Sequence, residues 1–187
     1  MLEFTVWIIG EKALVEGPVV MKLIDEALPQ PGAASAEPAA PGKELQRHVK
    51  VGGEECLVKV ATVDLVSLED VPDEEWDEAA GFVFITAPTK PQSLEGVRDA
   101  WEQIVRMKGT NQLPVTFAST EILEGPAGDP INRLASDASA HVFTIGMPDG
   151  PTPEEAVNLL LKDIRRHQSP EFGTISTEKR REDCCVL

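Results

Sequence analysis

Val6-Trp7-Ile8-Ile9 is a short apolar run that ends in Gly10, and an amphipathic pattern begins a few residues later at Pro18. Strand, loop and helix in that order commit the start of the chain to a β–α unit. This is also where a phosphate-binding loop stands in proteins that have one. Such a loop reads G-x-x-x-x-G-K-[ST]. Its glycines let backbone N–H groups approach the phosphates, its lysine neutralises them, and its hydroxyl holds Mg²⁺. Of that motif only Gly10 is present. The second glycine position holds Val15, the lysine position Glu16 and the hydroxyl position Gly17. Pro18 removes a backbone donor as well, where a phosphate would draw on the first N–H groups of a helix.

The size of these losses decides against phosphate binding. Glu16 in place of lysine turns an attraction into a repulsion, each about 4 kcal/mol for a pair at roughly 4 Å in an effective dielectric near 20. A carboxylate at that position is expected to sit near the N-terminus of the following helix, where the dipole favours an anion, and to fill part of the phosphate space. Leu14 and Val15 are expected to cover apolar surface beside it.

The rest of the chain repeats the opening pattern. Short apolar runs alternate with helical periodicity, which predicts an α/β domain with a mostly parallel sheet. Gly52-Gly53, between His48-Val49-Lys50-Val51 and Cys56-Leu57-Val58, marks a hairpin and so one reversed edge strand. Thr152 and Glu155 have the spacing of a capping box, with Pro153 at the first helical position. Val157, Leu160, Leu161 and Ile164 form the apolar stripe of that helix. Asp129-Pro130 opens another helix. The expectation is about six strands and about five helices in one domain over residues 1–168, followed by a tail over 169–187.

Several of these segments, in their order and spacing, resemble the Ras family of small GTPases. Gly10 with its flanking strand and helix looks like the first strand, loop and helix of those proteins. Gly53-Glu54-Glu55-Cys56-Leu57 with Val58-Lys59-Val60 looks like the hairpin and third strand, and Gly81-Phe82-Val83-Phe84-Ile85 like the fourth. Pro91-Gln92-Ser93-Leu94-Glu95-Gly96-Val97 and Trp101 to Lys108 resemble the third helix, and Leu113-Pro114-Val115 the fifth strand. The resemblance implies a P-loop NTPase, Ras-like three-layer sandwich.

The family's nucleotide motifs fail together. Residues 29–42, rich in Ala, Pro and Gly, occupy the first-switch position with Ser35 as the lone hydroxyl, and read as a flexible low-complexity loop. In place of D-x-x-G stands Thr62-Val63-Asp64-Leu65-Val66. Asp64 is a displaced metal aspartate or, on the plainer reading, a turn residue. In place of N-K-x-D stands Ala118-Ser119-Thr120-Glu121, with Glu121 a possible stand-in for the base-reading aspartate. Ile145-Gly146-Met147 replaces the S-A-K loop. The resemblance therefore implies a pseudoGTPase with no GTP or GDP bound, no cofactor, no metal site and no catalytic residue. A divergent GTPase using an altered loop, and a binder of another small molecule in the vacated crevice, are the alternatives.

Cys184-Cys185-Val186-Leu187 fits the C-a-a-X box, and leucine at its end favours geranylgeranyl on Cys184. Lys179-Arg180-Arg181 gives weak basic support, blunted by Glu182 and Asp183. The expected location is the cytoplasmic face of a membrane, with a cytosolic pool. A formal charge of −15 argues against nucleic acid and leaves a basic protein surface as the partner. Three cysteines, two of them in the tail, provide no internal disulfide framework, and His48, His141 and His167 lack metal-ligand spacing. The densest acidic stretch surrounds Trp76, with Asp73, Glu74 and Glu75 before it. It reads as a short helix whose tryptophan covers the core edge, or as a partner surface in which that aromatic is the anchor.

Overall fold

The computed structural model describes residues 2–29, 45–110, 112–121, 129–145 and 151–168. Along the first strand, β1 (Leu2–Gly10), side chains point alternately to two sides, and both sides are buried. Phe4, Val6 and Ile8 enter one core, and Trp7 and Ile9 the other. Strands buried on both faces are what a parallel sheet covered by helices requires.

Five further strands complete the sheet: β2 (Leu45–Val51), β3 (Glu54–Asp64), β4 (Ala79–Thr86), β5 (Val115–Ser119) and β6 (His141–Thr144). Their spatial order is β2-β3-β1-β4-β5-β6. Only β2 runs antiparallel, paired with β3 at one edge; the other pairs are parallel. The expected six-stranded α/β sheet with one reversed edge strand is the architecture found.

On one face lie α2 (Pro18–Ala27) and α6 (Pro153–Gln168), over Val58, Val83, Ile85 and Ala118. On the other lie α3 (Asp73–Glu78), α4 (Pro91–Lys108) and α5 (Asp129–Asp137), over Phe82, Phe84 and Phe117. Three layers result. The described residues add two pieces to the five expected helices, a single turn α1 (Lys12–Val15) and a 3₁₀ turn over Leu65–Asp70. A one-turn helix has too few positions to display a period, so the sequence pattern did not mark it.

Local rules hold where they were strongest. The Thr152 hydroxyl accepts from the Glu155 N–H at 3.2 Å, and the Glu155 carboxylate accepts from the Thr152 N–H at 2.9 Å, which closes the capping box. Gly52 and Gly53 have φ of +60° and +89° between the paired Val51 and Glu54, the left-handed pair that a two-residue hairpin turn needs. Arg165 of α6 fastens that hairpin, donating to the Val51 carbonyl at 3.2 Å and pairing with Glu54 at 2.9 Å. Ser35 and the rest of residues 30–44, Gly146 and Met147, and the tail with Lys179 and Cys184 lie outside the described residues.

Candidate functional site

The strand order reverses at β1, whose neighbours are β3 on one side and β4 on the other. In open α/β sheets ligands bind at such a switch point, outside the carboxyl ends of the strands. β1, β3, β4, β5 and β6 run parallel, so Gly10, Asp64, Thr86, Ser119 and Thr144 all end at the same edge of the sheet.

The loop after β1 is closed on itself. Leu14 N–H donates to the Glu11 carbonyl at 2.8 Å, Val15 N–H to the same oxygen at 3.1 Å, Glu16 N–H to Lys12 at 2.9 Å and Gly17 N–H to Leu14 at 3.4 Å. In a phosphate-binding loop the backbone N–H groups are left free to point at the phosphates. Val15, only 3% exposed, turns inward as a wedge. Gly10 is glycine for a reason of space: a Cβ there would stand 2.8 Å from the Ile85 carbonyl oxygen and 3.3 Å from Val15 Cγ1. Gly17 is as tight, with a notional Cβ 2.5 Å from the Ala13 carbonyl oxygen. Both Gly10 and Gly17 therefore serve the closed loop.

Glu16 corrects an expectation. No side chain caps the N-terminus of α2, and the Glu16 carboxylate is exposed, 3.9 Å from Lys12 one turn earlier. A residue that ends α1 points along that helix and not at the next one, so Glu16 does not fill phosphate space. The apolar half of the expectation holds: Val15 is buried and Leu14 packs partly against the core.

After β3, Asp64 accepts from the Val66 N–H at 3.4 Å and starts the 3₁₀ turn. This is the turn role. No group of three or more His, Cys, Asp or Glu with metal-site geometry occurs among the described residues.

The loops after β4 and β5 are tied to each other. Ser93 Oγ accepts from the Ala87 N–H at 3.2 Å and lies 3.3 Å from the Thr86 hydroxyl, all buried. The Glu121 carboxylate accepts the Thr89 hydroxyl at 2.7 Å and the Thr89 N–H at 2.9 Å. Those bonds, the hydroxyl first, hold the Glu121 carboxyl below its ordinary range. Thr120 N–H donates to the Thr86 carbonyl at 3.0 Å, and Ile145 N–H to Ser119 at 2.8 Å. Glu121 is thus a strut between loops. Sequence reading found Glu121 but not Thr89. Its one signal was a hydroxyl between prolines (Pro88-Thr89-Lys90-Pro91) just past a buried strand.

Of the two readings of the acidic stretch, the one in which Trp76 covers the core is found, and the one in which it anchors a partner is corrected. Trp76 is 4% exposed, its ring centroid 4.9 Å from that of Trp7, in the core that also holds Phe82. The ring covers the core and is not offered to a partner. A tryptophan carries the largest apolar payload on α3, and the helix docks by burying it. Glu74, Glu75, Asp77 and Glu78 remain exposed around it, and Val66 nearby is 83% exposed. The Asp73 side chain lies outside the described residues. None of Glu69, Asp70, Glu74 and Glu75 is ion-paired among the described residues. Burial lowers the Lys108 ammonium from its ordinary value, and the Asp77 carboxylate opposes that shift.

No helix among the described residues is long and apolar enough to cross a membrane. A scan against protein-family models finds none that matches this chain.

Proposed function

We propose that the chain is a Ras-like pseudoGTPase, a signalling or scaffolding protein that binds partners without family-type GTP binding or hydrolysis. The observation that carries this reading is the closed loop after β1. Four consecutive N–H groups from Leu14 to Gly17 are spent on carbonyls of the same loop, and Pro18 has none to give. A phosphate offered to this loop meets four N–H groups already bonded and a carboxylate instead of lysine. The six-stranded sheet with its reversed edge strand agrees with the architecture the resemblance implies, and the Thr89–Glu121 bonds already engage the carboxylate that the resemblance offers as a base reader.

The partner surface of this proposal is the exposed acidic face of α3 with Glu69 and Asp70, and its partner is basic. Association between such surfaces is steered electrostatically and weakens with salt. Attachment to the cytoplasmic face of membranes, with a cytosolic pool, follows from a geranylgeranyl group on Cys184, as its C-a-a-X pattern implies.

Titration with fluorescent GTP and GDP analogues in Mg²⁺, together with analysis of any nucleotide released on denaturation, tests the central part. No saturable binding and no released nucleotide are expected. Micromolar or tighter binding that unlabelled GTP competes away would overturn the reading.

A further inference from the structure

β2 is an edge strand, and only its inner side is paired. The two-residue turn at Gly52-Gly53 makes Val51 and Glu54 the hydrogen-bonded pair that closes the hairpin. Antiparallel alternation then aims the N–H and C=O groups of Arg47, Val49 and Val51 at β3, and those of Gln46, His48 and Lys50 outward. The Gln46 carbonyl accepts from the Arg47 guanidinium at 3.3 Å. The Gln46 N–H and both backbone groups of His48 and Lys50 have no partner among the described residues. Such a row of donors and acceptors is a template for another strand.

A cleft of about 700 Å³ lies against this strand. Ala27 and Pro29 at the end of α2, with Val49, give it a mainly apolar lining, and Glu154 and Asn158 come from α6. His48, Lys50 and Glu55 border it as well. Side chains along β2 alternate between two faces. Val49 packs partly against the core under α2 and α6, on the side of the buried Arg47 and Val51, while Gln46, His48 and Lys50 are exposed on the other. The Arg47 charge is already engaged by Asp25. Lys50 stands in register with Glu55 and His48 with Leu57, but neither cationic side chain has an ion pair among the described residues.

We propose that the open edge of β2 takes up an extended segment of a partner protein in which apolar and acidic residues alternate. An added strand continues the pleat of the sheet. Its side chains beside Val49 turn into the cleft, where the lining is apolar and Glu154 disfavours a second carboxylate. The alternate side chains lie beside His48 and Lys50, where a carboxylate finds its opposite charge. Main-chain bonds supply affinity in this mode, and the alternating side chains supply selectivity. A second copy of the chain does not fit. Leu45–Val51 contains Arg47, His48 and Lys50 and no acid, so no register of β2 on β2 sets an opposite charge against them. The inference does not rest on the proposed function, since neither the loop after β1 nor α3 takes part, and the partner it calls for carries the opposite charge.

Amide hydrogen exchange and a chemical-shift titration of the full-length chain read this edge residue by residue. The probe is a peptide of alternating valine and glutamate as long as β2, and a valine–lysine peptide of the same pattern is its control. In the free chain the His48 and Lys50 amides should exchange fast, while those of Arg47 and Val49, bonded to β3, exchange slowly. The valine–glutamate peptide should slow the outward amides about tenfold or more at saturation and bind about tenfold tighter than the control. His48→Pro removes an outward N–H and no ladder bond, and should abolish binding. Lys50→Glu, on the exposed face, should weaken binding about fivefold, and it decides the matter if His48→Pro unfolds the hairpin. Outward amides already protected in the free chain would mean that the edge is taken, by the chain itself or by a second copy, and would overturn the proposal. So would equal affinity for the two peptides, no saturable binding of either, or undiminished binding to a folded His48→Pro or to Lys50→Glu.

Discussion

Gly17→Ser separates a closed loop from an open one. In a phosphate-binding motif this position carries Ser or Thr, so an open loop has room for the side chain. Gly17 has φ −87°, a value any residue adopts, and the backbone itself raises no objection. The objection is contact: an added Cβ would lie 2.5 Å from the Ala13 carbonyl oxygen, inside the 3.0 Å that real Cβ atoms respect. That oxygen is main chain in α1 and has no rotamer through which to yield. α1 is also held from the other side, because Val15 is buried and stands 3.3 Å from where a Cβ on Gly10 would lie. Relief requires shifting α1 or opening its hydrogen bonds. Overpacking of this kind costs roughly 1–3 kcal/mol. For a domain of this size that is a fall in Tm of about 2–12 °C, at roughly 2–4 °C per kcal/mol. Urea denaturation and thermal melts of Gly17→Ser and Gly17→Ala against the parent measure it, with a nucleotide titration on the same samples. The alanine variant should lose as much as the serine one, since the Cβ is the offending atom. Parental stability in Gly17→Ser, or nucleotide affinity gained by it, would refute the closed loop.

Other expectations follow from contacts elsewhere. Ser139 has φ +54° at the end of α5, where its N–H reaches Ser136 at 3.1 Å and the Ala140 N–H reaches Ala135 at 2.7 Å, the two bonds of a Schellman cap. Ser139→Gly should therefore raise stability by about 0.5–1 kcal/mol in urea, relieving a left-handed residue that has a Cβ. Arg47 is buried with one Nη donating to Asp25 at 3.2 Å, and Asp25→Ala should cost roughly 1 kcal/mol, the low end for orphaning a buried donor because water reaches that carboxylate. Glu121 has a lowered folded pKa, so its stabilisation is full above the unfolded carboxylate value and is lost as pH falls through the folded one. The stability gap between the parent and Glu121→Ala should be widest near neutrality and close in acid; a gap that grew in acid would reverse that sign.

How far the sequence could be read depended on whether the determinant was local. The capping box at Thr152 and the Gly52-Gly53 turn each involve groups a few residues apart, and both formed as written. The two-sided burial of β1, β4 and β5 was legible because apolar runs bounded by turns have few other folded uses. What failed was relational. Glu16 reads as a helix cap only if no helix precedes it, and α1 does precede it, held by its buried Val15. Trp76 sits among acids in sequence, which suggests a surface, but its ring is carried across to Trp7 on a strand 69 positions away, and only the fold brings the two together. Charge pattern sets the outside of α3 and says nothing of the residue facing in. Thr89 and Glu121, 32 positions apart, met for the same reason, as partners across two loops that neighbouring strands deliver to one place. A closed loop after β1, a buried ring and a strut between loops each consume a group that, read alone, looked available to a ligand. Glu69, Asp70, Glu74 and Glu75 on the rim of α3 have no ion pair among the described residues, and the proposed basic partner would meet them there.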